Sequence, residues 1–281
     1  MHDAPIKICA YRKKSNRFLS HLNRMNRNTA IAPDKDHIAG LAKGLQILSA
    51  FNSAYTRLTQ SQAARLVGIT PAAARRSLLT LCDQGYVATD GKYFWPDHGV
   101  LRLTYAYAAS TRLPRLLQPA LDALSERTRE SASVAVLHGH HVLVAARSTA
   151  QRSLSVGLGV GSELPLHCSA TGRVLLAAKP MAEREKMLRQ STLLKMTPHT
   201  ETDVSRLKKI LAECQLHGYG ISNEEIEMGV RSLAVPLINS EQQVVAALSI
   251  SSRADRMTGQ EMVSKLLPIL LKTQAWAQAR L

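Results

Sequence analysis

The chain has 281 residues, 45% of them hydrophobic but only 4% aromatic, so it can bury one or two cores built from Leu, Val, Ile and Ala. Its formal net charge is +15 and its pI is near 10.0, a balance that suits a polyanionic partner. No apolar run approaches the roughly 20 residues of a spanning helix. The N-terminus lacks the apolar stretch of a secretory signal, and Cys9, Cys82, Cys168 and Cys214 form no CxxC pair. These features point away from a membrane span, a disulfide scaffold and a zinc ribbon, and toward reduced thiols in a cytoplasm.

The positive charge is concentrated early. Residues 1–110 hold 15 Lys/Arg against 6 Asp, a balance of +9, which leaves 21 against 15, or +6, for the rest. Residues 1–36 are basic and lack a sustained apolar stripe, so they are expected to be a disordered arm able to grasp DNA. Met25 leaves a later start of the chain as the alternative. From Ile38 to Phe51, the residues Ile38, Leu41, Leu45 and Leu48 make an amphipathic helix expected to pack behind the elements that follow.

Residues 57–95, RLTQSQAARLVGITPAAARRSLLTLCDQGYVATDGKYFW, read as a winged helix-turn-helix within a domain spanning 37–96. Gln60–Val67 is a short helix broken by Gly68, and Ile69 fills the corner of the turn. Thr70 is an N-cap with Pro71 at the first helical position, where its missing N–H costs nothing. From Pro71 to Gln84 the apolar stripe runs Ala74, Leu78, Leu81, Cys82, and Gly85 closes the helix. Ala72, Arg76 and Thr80 face the other way, flanked by Ala73 and Arg75. Small residues allow close approach to the major groove of double-stranded operator DNA, and arginine can bond a guanine edge bidentately. Thr89-Asp90-Gly91 is the wing turn, with Pro96 ending the wing. The predicted DNA contacts are Thr59, Ser61, Thr70, Ala72, Ala73, Arg75, Arg76, Thr80 and Lys92.

Residues 97–113 read as a linker helix (Val100–Ala109), and 114–281 as a second domain in which strands and helices alternate. Its predicted elements are a helix at Leu116–Thr128 and strands at Ser133–His138, His141–Arg147 and Ser153–Val156. Helices at Ser169–Ala178 and Glu201–His217, strands at Ser232–Ile238 and Val244–Ser251, and a terminal helix Thr258–Ala279 follow. That order indicates an α+β domain with a mostly antiparallel sheet.

Four local clusters invite chemistry and are read as ordinary. Gly157, Gly159 and Gly161 have the wrong spacing for a dinucleotide fingerprint. His167-Cys168 lacks a third orienting group, so a packed or pocket-lining cysteine is preferred to a nucleophile, although a hydrolase using Cys168 stays the rival reading. His138, His140 and His141 straddle a hairpin turn and are read as solvated, not metal-binding, and Glu224, Glu225 and Glu227 as a solvated run.

Over roughly residues 38–280 the chain resembles the IclR family of transcriptional regulators, through GLAKGLQILSAF, RLTQSQAARLVGIT and LLTLCDQGYV, then LPLHCSATGRVLLA and GYGISNEEIEMGVRSLAVPL. SVGLGVGSELPLHCSATGRVLLA and LTYAYAASTRLPRLLQP are most similar to the β-ketoadipate-pathway branch, which responds to aromatic-acid metabolites. The resemblance implies a winged-helix domain, a linker helix and a GAF/profilin-like effector domain, a homodimer or homotetramer, a small organic acid effector and no enzymatic cofactor. It implies backbone N–H groups of Ala170 and Thr171 for a ligand carboxylate, with Ser222, Asn223, Val230, Ser232, Ser249 and Ser251 as polar lining and Val156 and Leu164 as apolar walls. Ser222 and Asn223 stand where relatives often carry acidic residues. An architectural DNA binder without a ligand is the remaining alternative.

Overall fold

A computed structural model describes residues 37–149 and 158–281, and the chain divides into two compact units, Met1–Ser110 and Thr111–Leu281. The basic arm 1–36, the third strand expected at 153–156, and Val156 with it, lie outside the described residues. No helix among the described residues is long and apolar enough to cross a membrane.

The first unit runs α1 (Ala39–Ala50), α2 (Gln60–Val67), α3 (Pro71–Asp83), β1 (Val87–Thr89), β2 (Phe94–Pro96), a 3₁₀ turn (His98–Val100) and α4 (Leu101–Ser110). Thr59 and Gln62 cap α2 reciprocally, and Gly68 ends it at φ 75°, a left-handed conformation that glycine adopts without cost. The amides of Gly68 and Ile69 both reach the carbonyl of Ala64, which turns the chain sharply into α3. Thr70 caps α3 by accepting from the Ala73 amide at 3.2 Å. In the wing turn Asp90 Oδ1 accepts from the amides of Lys92 and Tyr93 at 3.0 and 2.7 Å. Ile47, Ala50, Leu58, Ala63, Ala64, Ala74, Leu78, Val87 and Phe94 form the core.

Two expectations fail in this unit. In α1 the buried residues are Ile47 and Ala50, whereas Ile38, Leu41 and Leu45 are 68%, 61% and 52% exposed. The helix carries apolar residues on two sides, and α2 and α3 cover only the one near its C-terminus. Ala73, expected on the DNA side, is buried, because its place on α3 lies next to Ala74 on the inward-facing surface.

The second unit opens with α5 (Arg112–Thr128), which starts four residues earlier than Leu116 because Pro114 is tolerated in a first turn, where no intrahelical N–H bond is lost. Next come β3 (Ser131–His138), β4 (His141–Ser148), β5 (Glu163–Pro165), α6 (Ala170–Ala177), α7 (Met181–Gln190) and α8 (Val204–His217). The chain then finishes with β6 (Gly220–Asn223), β7 (Val230–Ile238), β8 (Val244–Arg253) and α9 (Gly259–Gln278). The six strands form one sheet in the order β5-β4-β3-β8-β7-β6, with every pairing antiparallel. β5, α7 and β6 carry too little periodicity to be read in advance, being a three-residue strand, a largely polar helix and a four-residue strand.

Each face of the sheet has its own cover. Leu233, Val235, Leu237, Leu248 and Ile250 pack with Leu117 and Leu121 of α5 and Leu266 and Leu270 of α9. On the other face Ala135, Ala234 and Ala247 pack beneath Val174 of α6 and Leu207 and Leu211 of α8. Each large apolar side chain so buried contributes about 1.5–3 kcal/mol. The second face is not apolar throughout, and its polar part holds a cavity.

Candidate functional site

The floor of that cavity follows from strand alternation. Along β8, Leu248 and Ile250 enter the core under α5 and α9, so Ser249 and Ser251 face the other way. Along β3, Ala132 and Val134 turn to the core and Ser133 to the cavity. Register sets Arg147, Ser133 and Ser249 side by side across β4, β3 and β8, and Ser251, Ser232 and Ser222 across β8, β7 and β6. The result is a floor of hydroxyls where a core would carry methyl groups. Some hydroxyls have local partners: Ser232 and Ser251 share a bond of 2.8 Å, and Ser222 donates to the Cys168 carbonyl at 2.6 Å. The bond from Ser249 to the Ser133 carbonyl is long, at 3.4 Å.

The roof is the start of α6. Ser169 caps it by accepting from the Gly172 amide at 3.0 Å while donating to the Pro165 carbonyl at 2.5 Å. A Cβ on Gly172 would stand 2.4 Å from the Leu166 carbonyl oxygen, so only glycine lets the helix sit this close to the preceding loop. The amides of Ala170 and Thr171 belong to the first turn and have no intrahelical acceptor, which leaves a partial positive charge at the cavity. Thr171 is 4% exposed, and among the described residues its hydroxyl has no hydrogen-bond partner. An unmade bond at a buried hydroxyl costs about 1–3 kcal/mol, and a ligand oxygen would relieve it.

A buried ion pair holds this roof in place. Arg173 donates to both carboxylate oxygens of Glu225 at 2.5 and 2.7 Å, to the Ile221 carbonyl at 2.6 Å and to the His167 carbonyl at 3.0 Å. Glu225 also accepts from the Glu201 amide, and its own carbonyl takes the Thr200 hydroxyl at 2.6 Å. The loop after β6 is thereby tied to the first turns of α6. The expectation of a solvated acidic run at 224–227 is corrected: Glu225 is buried in this pair, Glu224 pairs with Arg231 at 3.2 Å, and Glu227 lines the cavity. Charges 52 residues apart in the chain carry no local signal of pairing.

The cavity is open to solvent at one side, and the space between its walls, open mouth included, is about 620 Å³. Of the residues expected there, Leu164, Ala170, Thr171, Ser222, Val230, Ser232, Ser249 and Ser251 line it together. Asn223 does not: it is exposed on the opposite side of β6 from Ser222, and its side-chain oxygen accepts from Arg231 at 2.5 Å. Among the lining residues not expected are Ser133, Arg147, Ile226 and Glu227. Ser133 was reachable in principle, since it shares the alternation of the other serines; Arg147 and Glu227 required the sheet register and the loop path. Burial lowers the pKa of Arg147 and raises that of Glu227.

Cys168 lies off this cavity. It is fully buried, burial pushes its thiol far up, and His167 beside it has its pKa lowered to about 4, chiefly by burial, with its Nε2 3.2 Å from the Leu194 carbonyl oxygen. That is the reverse of an activated thiolate pair. Among the described residues no group of three His, Cys, Asp or Glu side chains is placed to hold a metal. Burial lowers His141 to about 4, so it is half-buried and neutral at physiological pH, in contrast to the solvated reading, which holds for exposed His138.

On the winged-helix unit, Ser61, Thr70, Ala72, Arg75, Arg76, Thr80 and Lys92 are exposed, Thr59 is half-buried, and Ala73 is the buried exception. The Thr80 hydroxyl folds back to the Arg76 carbonyl at 3.0 Å. Arg57, not anticipated, stacks on Trp95 at 4.2 Å and stands 3.8 Å from Asp90, which pins the wing. Arg102 of α4 donates to the Gln84 carbonyl at 3.1 Å and stacks on Tyr86, fastening the linker helix to the end of α3.

Comparison with known proteins agrees with both halves of this geometry. The IclR helix-turn-helix domain matches residues 40–91, and the family described as bacterial transcriptional regulator IclR C-terminal matches residues 105–278. The Pca operon regulatory protein of Acinetobacter baylyi is 36% identical over 250 residues, covering 88% of this chain and 90% of its own. The p-hydroxybenzoate hydroxylase transcriptional activator of the same organism is 38% identical over 244 residues, covering 85% and 90%. Among solved structures, the PobR inducer-binding domain from Acinetobacter, a double mutant in complex with 3-hydroxybenzoic acid, aligns with a TM-score of 0.57 at 31% identity, over 60% of this chain and 98% of that one. The protein therefore belongs to the IclR family of bacterial transcriptional regulators, in the branch that holds the Pca and p-hydroxybenzoate regulators.

Proposed function

We propose that this regulator controls genes of aromatic-acid catabolism by binding a small organic acid in the cavity of its second unit, and that α3 reads operator DNA through Arg75 and Arg76. The observation that carries the ligand reading is the start of α6, where two amides without intrahelical acceptors and the unpartnered Thr171 hydroxyl open into a cavity floored by serines. A carboxylate on those amides gains the helix pole, hydroxyls of Ser232, Ser249 and Ser251 meet distal oxygens, and Leu164 supplies an apolar wall. The similarity to Pca and p-hydroxybenzoate regulators supports protocatechuate, 4-hydroxybenzoate and β-ketoadipate as the acids to try. A cytoplasmic homodimer or homotetramer fits this role, and the exposed Ile38 before α1, Leu41 and Leu45 on it, and Leu101 and Tyr105 on α4 are apolar surface for a second copy to cover.

Calorimetric titration of the full chain with the three acids tests the ligand reading, alongside Ser249→Leu, which fills the site. Binding that the substitution abolishes, while DNA affinity and thermal stability hold, supports it. Heat from none of the acids sinks this ligand class and favours a DNA binder without an effector. Undiminished binding by Ser249→Leu moves the acid out of this cavity.

A further inference from the structure

Three glutamates sit in the loop between β6 and β7, and two of them are used to hold it. Glu224 pairs with Arg231 at 3.2 Å and accepts from the Gly229 amide at 2.9 Å, while Glu225 is locked to Arg173. Thr197 and Thr200 donate from their hydroxyls to the carbonyls of Glu224 and Glu225, at 2.7 and 2.6 Å. The third, Glu227, is half-buried and lines the cavity with Ile226 and Val230. Among the described residues its carboxyl has no hydrogen-bond or ion-pair partner, and burial raises its pKa, as expected of a carboxyl short of donors. The other charged side chain in the described lining, Arg147 on β4, is already engaged, donating to the Ser133 hydroxyl at 3.0 Å and to the Thr149 hydroxyl at 3.3 Å. A loop fastened at several points thus presents to the cavity one carboxyl whose lone pairs are unused.

We infer that Glu227 is the specificity-determining acceptor for a hydroxyl of the effector, so that the site selects hydroxylated monoacids over diacids. The inference rests on the proposal that an acid binds in this cavity with its carboxylate at the start of α6. An ionised carboxyl can only accept hydrogen bonds, whereas the serine hydroxyls of the floor both donate and accept. The serines therefore satisfy a phenol and a second carboxylate alike, and Glu227 tells the two apart. A phenol brings it a proton to accept, in a bond strengthened by the charge. An acid lacking the hydroxyl leaves Glu227 desolvated and unpaired, which is how a polar site rejects an analogue without its partner group. A second carboxylate sets two negative charges together in a partly dry cavity. Of the acids named above, 4-hydroxybenzoate and protocatechuate meet this requirement and β-ketoadipate does not.

The test titrates benzoate, 3- and 4-hydroxybenzoate, and isophthalate and terephthalate, which carry a second carboxylate at the same ring positions, into the full chain by calorimetry. The same acids are titrated into Glu227→Gln, which keeps the size and loses the charge, and into Glu227→Met, which loses the acceptor. In the native protein the better hydroxybenzoate binds about 10–100-fold more tightly than benzoate, as expected for a hydrogen bond to a charged group, and both phthalates bind more weakly than benzoate. In Glu227→Met the hydroxyl advantage falls below roughly threefold while benzoate still binds, and Glu227→Gln lies between. The deficit of the phthalates shrinks in Glu227→Gln, because that change relieves repulsion without making room. A hydroxyl advantage equal in the native protein and both variants overturns the inference and leaves the carboxylate on α6 standing, because benzoate and the hydroxybenzoates still bind. An undiminished deficit of the phthalates in Glu227→Gln overturns the selection by charge. Loss of benzoate in Glu227→Gln, with an unchanged melting midpoint, also overturns the inference, by placing the first carboxylate against Glu227. If no acid binds the native protein, the underlying acid reading fails.

Discussion

Two helices of this chain begin almost alike and end in opposite roles. α3 starts Thr70-Pro71-Ala72-Ala73-Ala74-Arg75-Arg76 and α6 starts Ser169-Ala170-Thr171-Gly172-Arg173, each capped by a hydroxyl that accepts from the third helical amide. Both present first-turn amides and a positive pole. The difference is burial: Arg75 and Arg76 are exposed, whereas every residue of α6 is buried. An exposed helix start with arginines behind it suits phosphates and base edges, where contacts form through water and salt. A buried start is largely shut off from solvent, so in the function proposed above its unmade bonds favour one small anion. The cap chemistry is shared, and the surroundings decide the kind of partner.

Breaking the buried arginine is expected to have the largest effect. Arg173→Met leaves Glu225 uncompensated and two carbonyls unbonded, so it should destabilise the second unit by about 3–5 kcal/mol, and Arg173→Met with Glu225→Met should recover part of that loss. Denaturant titration reads both, and a neutral Arg173→Met would mean the roof of the cavity does not depend on this pair.

The exposed arginine should behave in the opposite way, with stability unchanged and function lost. Arg76→Ala should weaken binding to a DNA site selected by the protein from random sequence by about 1–3 kcal/mol and leave binding to scrambled DNA nearly intact. Anisotropy titrations on both DNAs check it. Equal weakening on both would reduce Arg76 to a phosphate contact, and no weakening would remove it from the interface.

The smallest effect sharpens the comparison at the caps themselves. Thr70→Ala should cost about 1 kcal/mol, the ordinary value for an N-cap. Ser169→Ala should cost more, since that hydroxyl also donates to the buried Pro165 carbonyl, and it should weaken acid binding as well by loosening the first turn. Melting midpoints of the two variants, measured with and without 4-hydroxybenzoate, separate the cases. A larger loss for Thr70→Ala would reverse the ranking by burial.

Much of this molecule was legible one stretch at a time. Thr70 and Pro71 announce a helix start, Gly68 a left-handed turn, Thr89-Asp90-Gly91 a hairpin, and Ser249 and Ser251 a shared face of one strand. Each signal lies within a few residues because caps, turns and alternation are set by hydrogen bonds and side-chain directions of near neighbours. For the same reason most of the expected lining of the cavity came together, and Asn223 was misplaced only where a run of polar residues hid the alternation that turns it away from Ser222.

What periodicity alone determined, then, was where elements begin, turn and alternate. It could not say which of two apolar sides α1 would bury, that Ala73 would face the core, or that Arg173 would meet Glu225 and Arg147 would meet Ser133. Those outcomes belong to the tertiary structure, because burial and ion pairing depend on what a distant part of the chain brings alongside. A charged or hydroxyl side chain carries the same local signal whether it ends in water or under a helix, and only packing settles which solvent it finally has.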